Sequence, residues 1–163
     1  MREKVACNAS PLIFLAKIER LDLLNAYELH LPQQVEAEIL KGSKSKKEDS
    51  GLIAQYLKAN KIEPVKIPLL KDLPHSLGTG ERAVISLAVK EGIKRVLIDE
   101  SKARTVARFK GLKPKGTLGV LWDAHKTGRI DRATLEILML GLIQKGYRIK
   151  EEILVEFLKK LKW

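Results

Sequence analysis

The chain has a single cysteine, Cys7, in 163 residues. One thiol cannot close a disulfide within the chain. That excludes a stapled secreted scaffold and leads to the expectation of a reduced, cytoplasmic setting. The three histidines, His30, His75 and His125, are scattered, and none has zinc-type spacing. Aromatic residues make up only 5%, which argues against a single-strand binder built on rows of stacked bases. No apolar run approaches the ~20 residues that a membrane helix needs. The N-terminus runs directly into a strand-like segment, so no signal peptide is expected. Internal repeats and an obvious linker are also missing, and residues 1–163 read as one domain, large enough to bury a core without staples.

What the chain does have is charge, and of one sign. Lys and Arg number 31 against 20 Asp and Glu, a net +11, with a pI near 9.8. A surface rich in lysine and glutamate suits a heat-adapted protein. Heat adaptation accounts for many charges but not for a surplus of cations, which implies a polyanionic partner, nucleic acid first of all.

Short apolar segments alternate with longer helical ones. Val5–Asn8 reads as a strand, followed by a helix with Pro11 in its first turn and Leu12, Ile13, Leu15, Ala16 and Ile18 at helical spacing. "ELHLP" and "IEPVKI" read as extended, and "RVLID" is the clearest buried strand. "PQQVEAEILKG", "LIAQYLKANK", "LGTGERAVISLAVKEG", "SKARTVARFKG" and "TLGVLWDAHKTG" read as helices, with a polar "SKSKKED" loop between the first two. Two more helices, within 130–163, form a C-terminal extension. The alternation predicts a three-layer α/β domain with a mostly parallel sheet, its ligand site beyond the carboxyl ends of the strands.

That site rule selects residues. Asn8 ends the first strand, and Asp99 with Glu100 ends "RVLI". Glu81 lies in the first turn of the helix after Gly78-Thr79-Gly80, and Glu36 or Glu38 reaches the same edge from "QQVEAEIL". Each has an ordinary reading: Asn8 and Asp99 as helix caps, Glu81 as a charge favoured by the helix dipole, Glu36 and Glu38 on a solvated face. Convergence at one edge is what those readings leave unexplained. Crowded carboxylates raise one another's pKa unless a cation sits among them, and oxygen-only ligands suit Mg²⁺ or Mn²⁺. "GTGERA" lacks the Lys-Ser/Thr of a phosphate-binding loop, and Ser10, Cys7 and the histidines form no nucleophile–base set. Arg104 and Arg108, four apart on one helix face, are candidate RNA contacts, as is the Lys44–Lys47 run. Trp122 and Trp163 read as packing residues.

Together "NASPLIFLAKIERLDLL", "LPQQVEAEIL", "LGTGERAVISLAV" and "RVLIDESKARTVARFKGLKPKGTLGVLWDAHKTGRI" resemble the PIN domain, in the branch of small prokaryotic proteins related to VapC-type toxins. The resemblance implies a Rossmann-like sheet, Mg²⁺- or Mn²⁺-dependent cleavage of RNA, a homodimer, and a small antitoxin as partner. Its four acidic positions fall on Asn8, Glu38, Glu81 and Asp99, with Ser10 the small hydroxyl residue beside the first; Asp99 and Glu81 are expected as the principal metal ligands, with Asn8 and Glu100 as further ones and Glu38 completing the cluster. Asn8 departs from the pattern, which has Asp there, although this branch often begins "NASPLI" or "NTSPLI". An amide offers one neutral oxygen in place of a charged carboxylate. Two other functions therefore stand beside a toxin-like ribonuclease: a binding module with weakened or lost catalysis, and an RNA-processing nuclease outside any toxin–antitoxin pair.

Overall fold

The computed structural model describes residues 1–41 and 47–161. Four strands, β1 (Glu3–Cys7), β2 (Tyr27–His30), β3 (Arg95–Leu97) and β4 (Lys113–Lys115), form one sheet in the order β2-β1-β3-β4, every neighbouring pair parallel. The helices are α1 (Ala9–Lys17), α2 (Gln33–Leu40), α3 (Lys47–Ala59), α4 (Thr79–Glu91), α5 (Ser101–Phe109), α6 (Thr117–Lys126), α7 (Arg132–Gln144) and α8 (Glu151–Lys160). A 3-10 turn covers Leu21–Ala26. The α/β class with a parallel sheet flanked by helices is the expected one.

Each strand is short because it crosses only the core. Val5, Ala6 and Cys7 on β1 are fully buried, as are Val96 and Leu97 on β3, so the two central strands read as unbroken apolar runs. Helix α4 lies against both of them and against α2, while α1 packs on α2, α3 and α6. Gly92 ends α4 at φ +68°, a left-handed conformation that a side chain would strain. At the C-terminal end, α7 packs on α6, and α8 sets Phe157 edge-on against Trp122 at 5.2 Å.

Three segments differ from the sequence reading. Strand β4 is not expected from the sequence, because "KPK" carries a proline. As an edge strand it tolerates one: Lys113 N–H bonds to Lys94 O, Lys115 O accepts from Ile98 N–H, and Pro114 lacks its donor on the outward side. "IEPVKI" contributes only an isolated bridge, Val65 to Pro32, rather than a strand. Lys47, Glu48 and Asp49 open α3, with the two acidic groups in its first turn, where the helix dipole favours them. The remaining Lys44–Lys46 part of the proposed RNA-touching run lies outside the described residues, as does Trp163.

The strand order positions the site. From β1 the chain winds outward to β2, returns through α2, α3 and α4 to β3 on the other side of β1, and then continues outward to β4. Winding reverses between β1 and β3, and the carboxyl ends of such a pair open a crevice. Asn8 N–H still bonds to Leu97 O at 3.0 Å, so Asn8 and Asp99 leave adjacent strands at one level.

Candidate active site

A cleft of about 680 Å³ opens at that point, lined by Asn8, Ser10, Glu38, Glu81, Asp99 and Glu100 among others. Every residue assigned to the acidic cluster reaches it. Glu36 does not, so the side of α2 that faces the cleft carries Glu38.

Two of the ordinary readings fail on geometry. Asn8 occupies the N-cap position of α1 but makes no side-chain capping bond. It is 6% exposed, and its Oδ1 is buried with nothing among the described residues donating to it. An unpaired buried carbonyl oxygen is costly and calls for an explanation. Asp99 does not cap α5; Glu100 does, accepting from Lys102 N–H at 3.0 Å and Ala103 N–H at 2.8 Å. The dipole reading of Glu81 holds in part, since its Oε1 accepts from Gly78 N–H at 2.9 Å.

Asp99 is instead the hub of a hydrogen-bond network. Its Oδ1 accepts from Thr117 N–H and Tyr147 O–H, and its Oδ2 from the hydroxyls of Ser10 and Thr117, each at 2.7 Å. A carboxylate has about four lone-pair sites, so Asp99 is saturated. Tyr147, in the connector between α7 and α8, has no signal in the sequence: it follows Asp99 by 48 residues and sits in no motif. It stands edge-on to Phe14 with ring centroids 5.0 Å apart, which pins it over the cleft. Burial first, then the Asp99 charge, pushes its phenol far above the usual range, so Tyr147 keeps its proton and donates it.

On the opposite wall, Glu38 and Asn8 meet above the bare Cα of Gly80. A methyl group there would stand 2.4 Å from Glu38 Oε2 and 3.4 Å from Asn8 Oδ1. Burial, then the charges of Glu100 and Glu38, raises the Glu81 carboxyl above its ordinary range, against the pull of Gly78 N–H. Burial acts the same way on Glu100, but the Ala103 and Lys102 amides outweigh it and hold that carboxyl low. Cys7, fully buried beneath Asn8, is held as a thiol by burial and then by the Asp99 charge, which removes it as a nucleophile.

The donors fit a hard divalent cation in kind. They are all oxygens, one is an orphaned buried amide carbonyl, and Glu81 titrates as a group in negative surroundings. Among the described residues no three His, Cys, Asp or Glu side chains close around one point. Mg²⁺ commonly relies on one or two carboxylates and keeps several waters. The oxygens left uncommitted are Asn8 Oδ1, those of Glu38 and Glu81 Oε2; Glu81 Oε1 and the oxygens of Asp99 and Glu100 already accept from donors. Lys17, paired with Asp49 at 3.1 Å, closes the cleft on the α3 side.

Residues 4–163 match a family model described as a PIN domain. No curated protein matches the sequence.

Proposed function

Because the chain belongs to the PIN-domain family, we propose that it is a metal-dependent ribonuclease that hydrolyses RNA phosphodiester bonds. The PIN fold is of nuclease type, and PIN domains generally depend on a divalent metal. The observation that carries this reading is the orphaned Asn8 Oδ1, buried beside Glu38 at the switch point of the sheet, where an oxygen-seeking ion accounts for it.

Asn8, Glu38 and Glu81 would hold Mg²⁺ or Mn²⁺, with the Asp99 charge behind them. Such an ion neutralises phosphate charge and makes water more acidic. The chain's own residues do the orienting. A hydroxyl that donates to Asp99 has its lone pairs left to accept, so Ser10 is set to orient a water or a ribose hydroxyl. In the toxin-like form of this reading the protein acts as a homodimer and is held in check by a small antitoxin. A small antitoxin gene immediately upstream would support it, and an isolated gene supports RNA processing. One feature favours a second reading, a PIN-fold RNA- or protein-binding module with weakened catalysis: the first acidic position is an amide.

Cleavage of a mixed RNA ladder in Mn²⁺, Mg²⁺ or EDTA tests the proposal, with Glu81→Gln as the control variant. Metal-dependent cutting that falls about 100-fold or more in Glu81→Gln is expected; cutting unaffected by EDTA would remove the metal from the proposal. Melting curves in EDTA give an independent readout. A raised carboxyl stabilises the fold below the ordinary glutamate value of 4.5 and loses that contribution as pH climbs through its raised value. The melting temperature of the wild type should therefore fall with rising pH above 4.5, and Glu81→Gln should flatten that fall. Equal slopes would mean that Glu81 is not under electrostatic pressure.

Gly80→Ala probes the placement of the Glu38 carboxylate over Gly80. Its methyl group displaces the end of an exposed, flexible glutamate, which costs little, and Ala gains up to ~1 kcal/mol over Gly in a helix. Stability should hold or rise while metal-dependent cleavage drops by about tenfold. Full activity in a well-folded Gly80→Ala protein would release Glu38 from the site.

A further inference from the structure

A second groove, of about 490 Å³, runs between α5, α6 and α8 and meets the acidic cleft at Asp99, Tyr147 and Arg148. Arg104 and Arg108 line one wall from α5, and Arg148, Lys150 and Lys160 reach it from the C-terminal segment. None of these five makes an ion pair among the described residues. Of the described residues that line the groove, Glu156 is the only carboxylate besides Asp99. The floor is apolar, with Trp122 and Phe157, and Lys160 Nζ rests 5.9 Å from the Trp122 ring. Like charges crowded on one groove repel each other, whereas cations such as Lys17, Arg95 and Arg132 have a carboxylate beside them, at Asp49, Glu3 and Glu136. Five left unpaired together match a ligand that carries a row of negative charges at regular spacing.

We propose that this groove is an RNA-backbone site: phosphates of the strand to be cut lie on Arg104, Arg108, Lys150 and Lys160, and the strand passes Tyr147 to enter the acidic cleft. The inference rests on the ribonuclease reading and extends it, because it makes α8 a wall of the substrate path. Arg108 and Arg104 lie four apart on the same helix, so each presents a guanidinium to successive points along one strand. Interactions of this kind set the register of the strand and carry no sequence preference.

The test is fluorescence anisotropy of a labelled RNA oligonucleotide in EDTA, where binding is read without cleavage. Two triple variants remove equal charge: Arg108→Ala/Lys150→Ala/Lys160→Ala in the groove, and Lys58→Ala/Lys66→Ala/Lys71→Ala elsewhere. All six side chains are exposed, so both proteins should fold, and melting curves check that they do. The groove variant is expected to lose tenfold or more in affinity and to flatten the salt dependence by about 2 in log–log slope, at roughly 0.7 for each phosphate no longer neutralised. The control should stay within about twofold. Equal losses in both variants would reduce the effect to net charge, and no loss in the groove variant, or no binding by the wild type, would overturn the site. Failure of the nuclease reading is distinct: metal-dependent cutting would be absent while groove-dependent binding remained.

Discussion

Asp99→Ala should abolish metal-dependent cleavage and destabilise the fold in the same stroke. Four donors converge on this carboxylate: the hydroxyls of Ser10, Thr117 and Tyr147, and the Thr117 N–H. Hydroxyls can turn to other acceptors, but a main-chain N–H cannot, and Thr117 is fully buried. Leaving a buried donor unpaired costs about 1–3 kcal/mol. With the Tyr147 anchor also gone, roughly 3 kcal/mol in total is expected, or about 6–12 °C in melting temperature for a chain of this size. Cleavage should fall about 10²–10³-fold, the scale seen when a preorganised polar group at a reacting centre is removed. Asp99→Asn separates the two effects. Its carbonyl keeps two donors, and its NH₂ can donate to hydroxyls that turn around. That variant should lose under ~1 kcal/mol, yet lose as much cleavage as the alanine. An active Asp99→Asn protein would show that the negative charge is dispensable and that Asp99 serves architecture alone.

Asn8→Asp should move the protein in opposite directions with and without metal. The new carboxylate would sit at a position only 6% exposed, with Glu38 against the same glycine and Asp99 at the next strand end. Burial and like charge both disfavour its ionised form. In EDTA at neutral pH the variant should melt several degrees below wild type, and the deficit should shrink toward pH 5 as the carboxyl keeps its proton. Mn²⁺ should reverse the order, because an ion that binds only the folded state adds about 2.7 kcal/mol at a hundred times its Kd. Cleavage at limiting metal should rise about tenfold or more. Cutting by Asn8→Asp but not by wild type would establish the binding-module reading, with a retired active site. Unchanged metal dependence in both melting and cleavage would mean that the Asn8 oxygen does not face the ion.

Much of the arrangement is legible along the chain. Asn8, Glu81 and Asp99 fall at one edge because each closes or opens an element with a clear local signature: an apolar run ending in a turn, or a Gly-Thr-Gly entry to a helix. Tyr147 is not legible, since nothing near Gly146 signals a partner 48 residues upstream. Strand β4 is hidden for a related reason. Three residues with a central proline form a strand only where a neighbour supplies the pairing and the missing donor points outward.

By itself the sequence determined the alternation of strands and helices, the parallel sheet that follows from it, the excess of positive charge, and the short roster of acidic positions. These depend on periodicity and composition, which neighbouring residues carry in full. Only the tertiary structure decided how those positions divide the work. It gave the helix cap to Glu100 and the hydrogen-bond hub to Asp99, left Asn8 Oδ1 without a donor among the described residues, and joined Arg104 and Arg108 to cations from the C-terminal segment. The physical reason is that an acceptor's role is set by which donors arrive within about 3 Å of it, and in a parallel sheet those donors come from segments far apart along the chain.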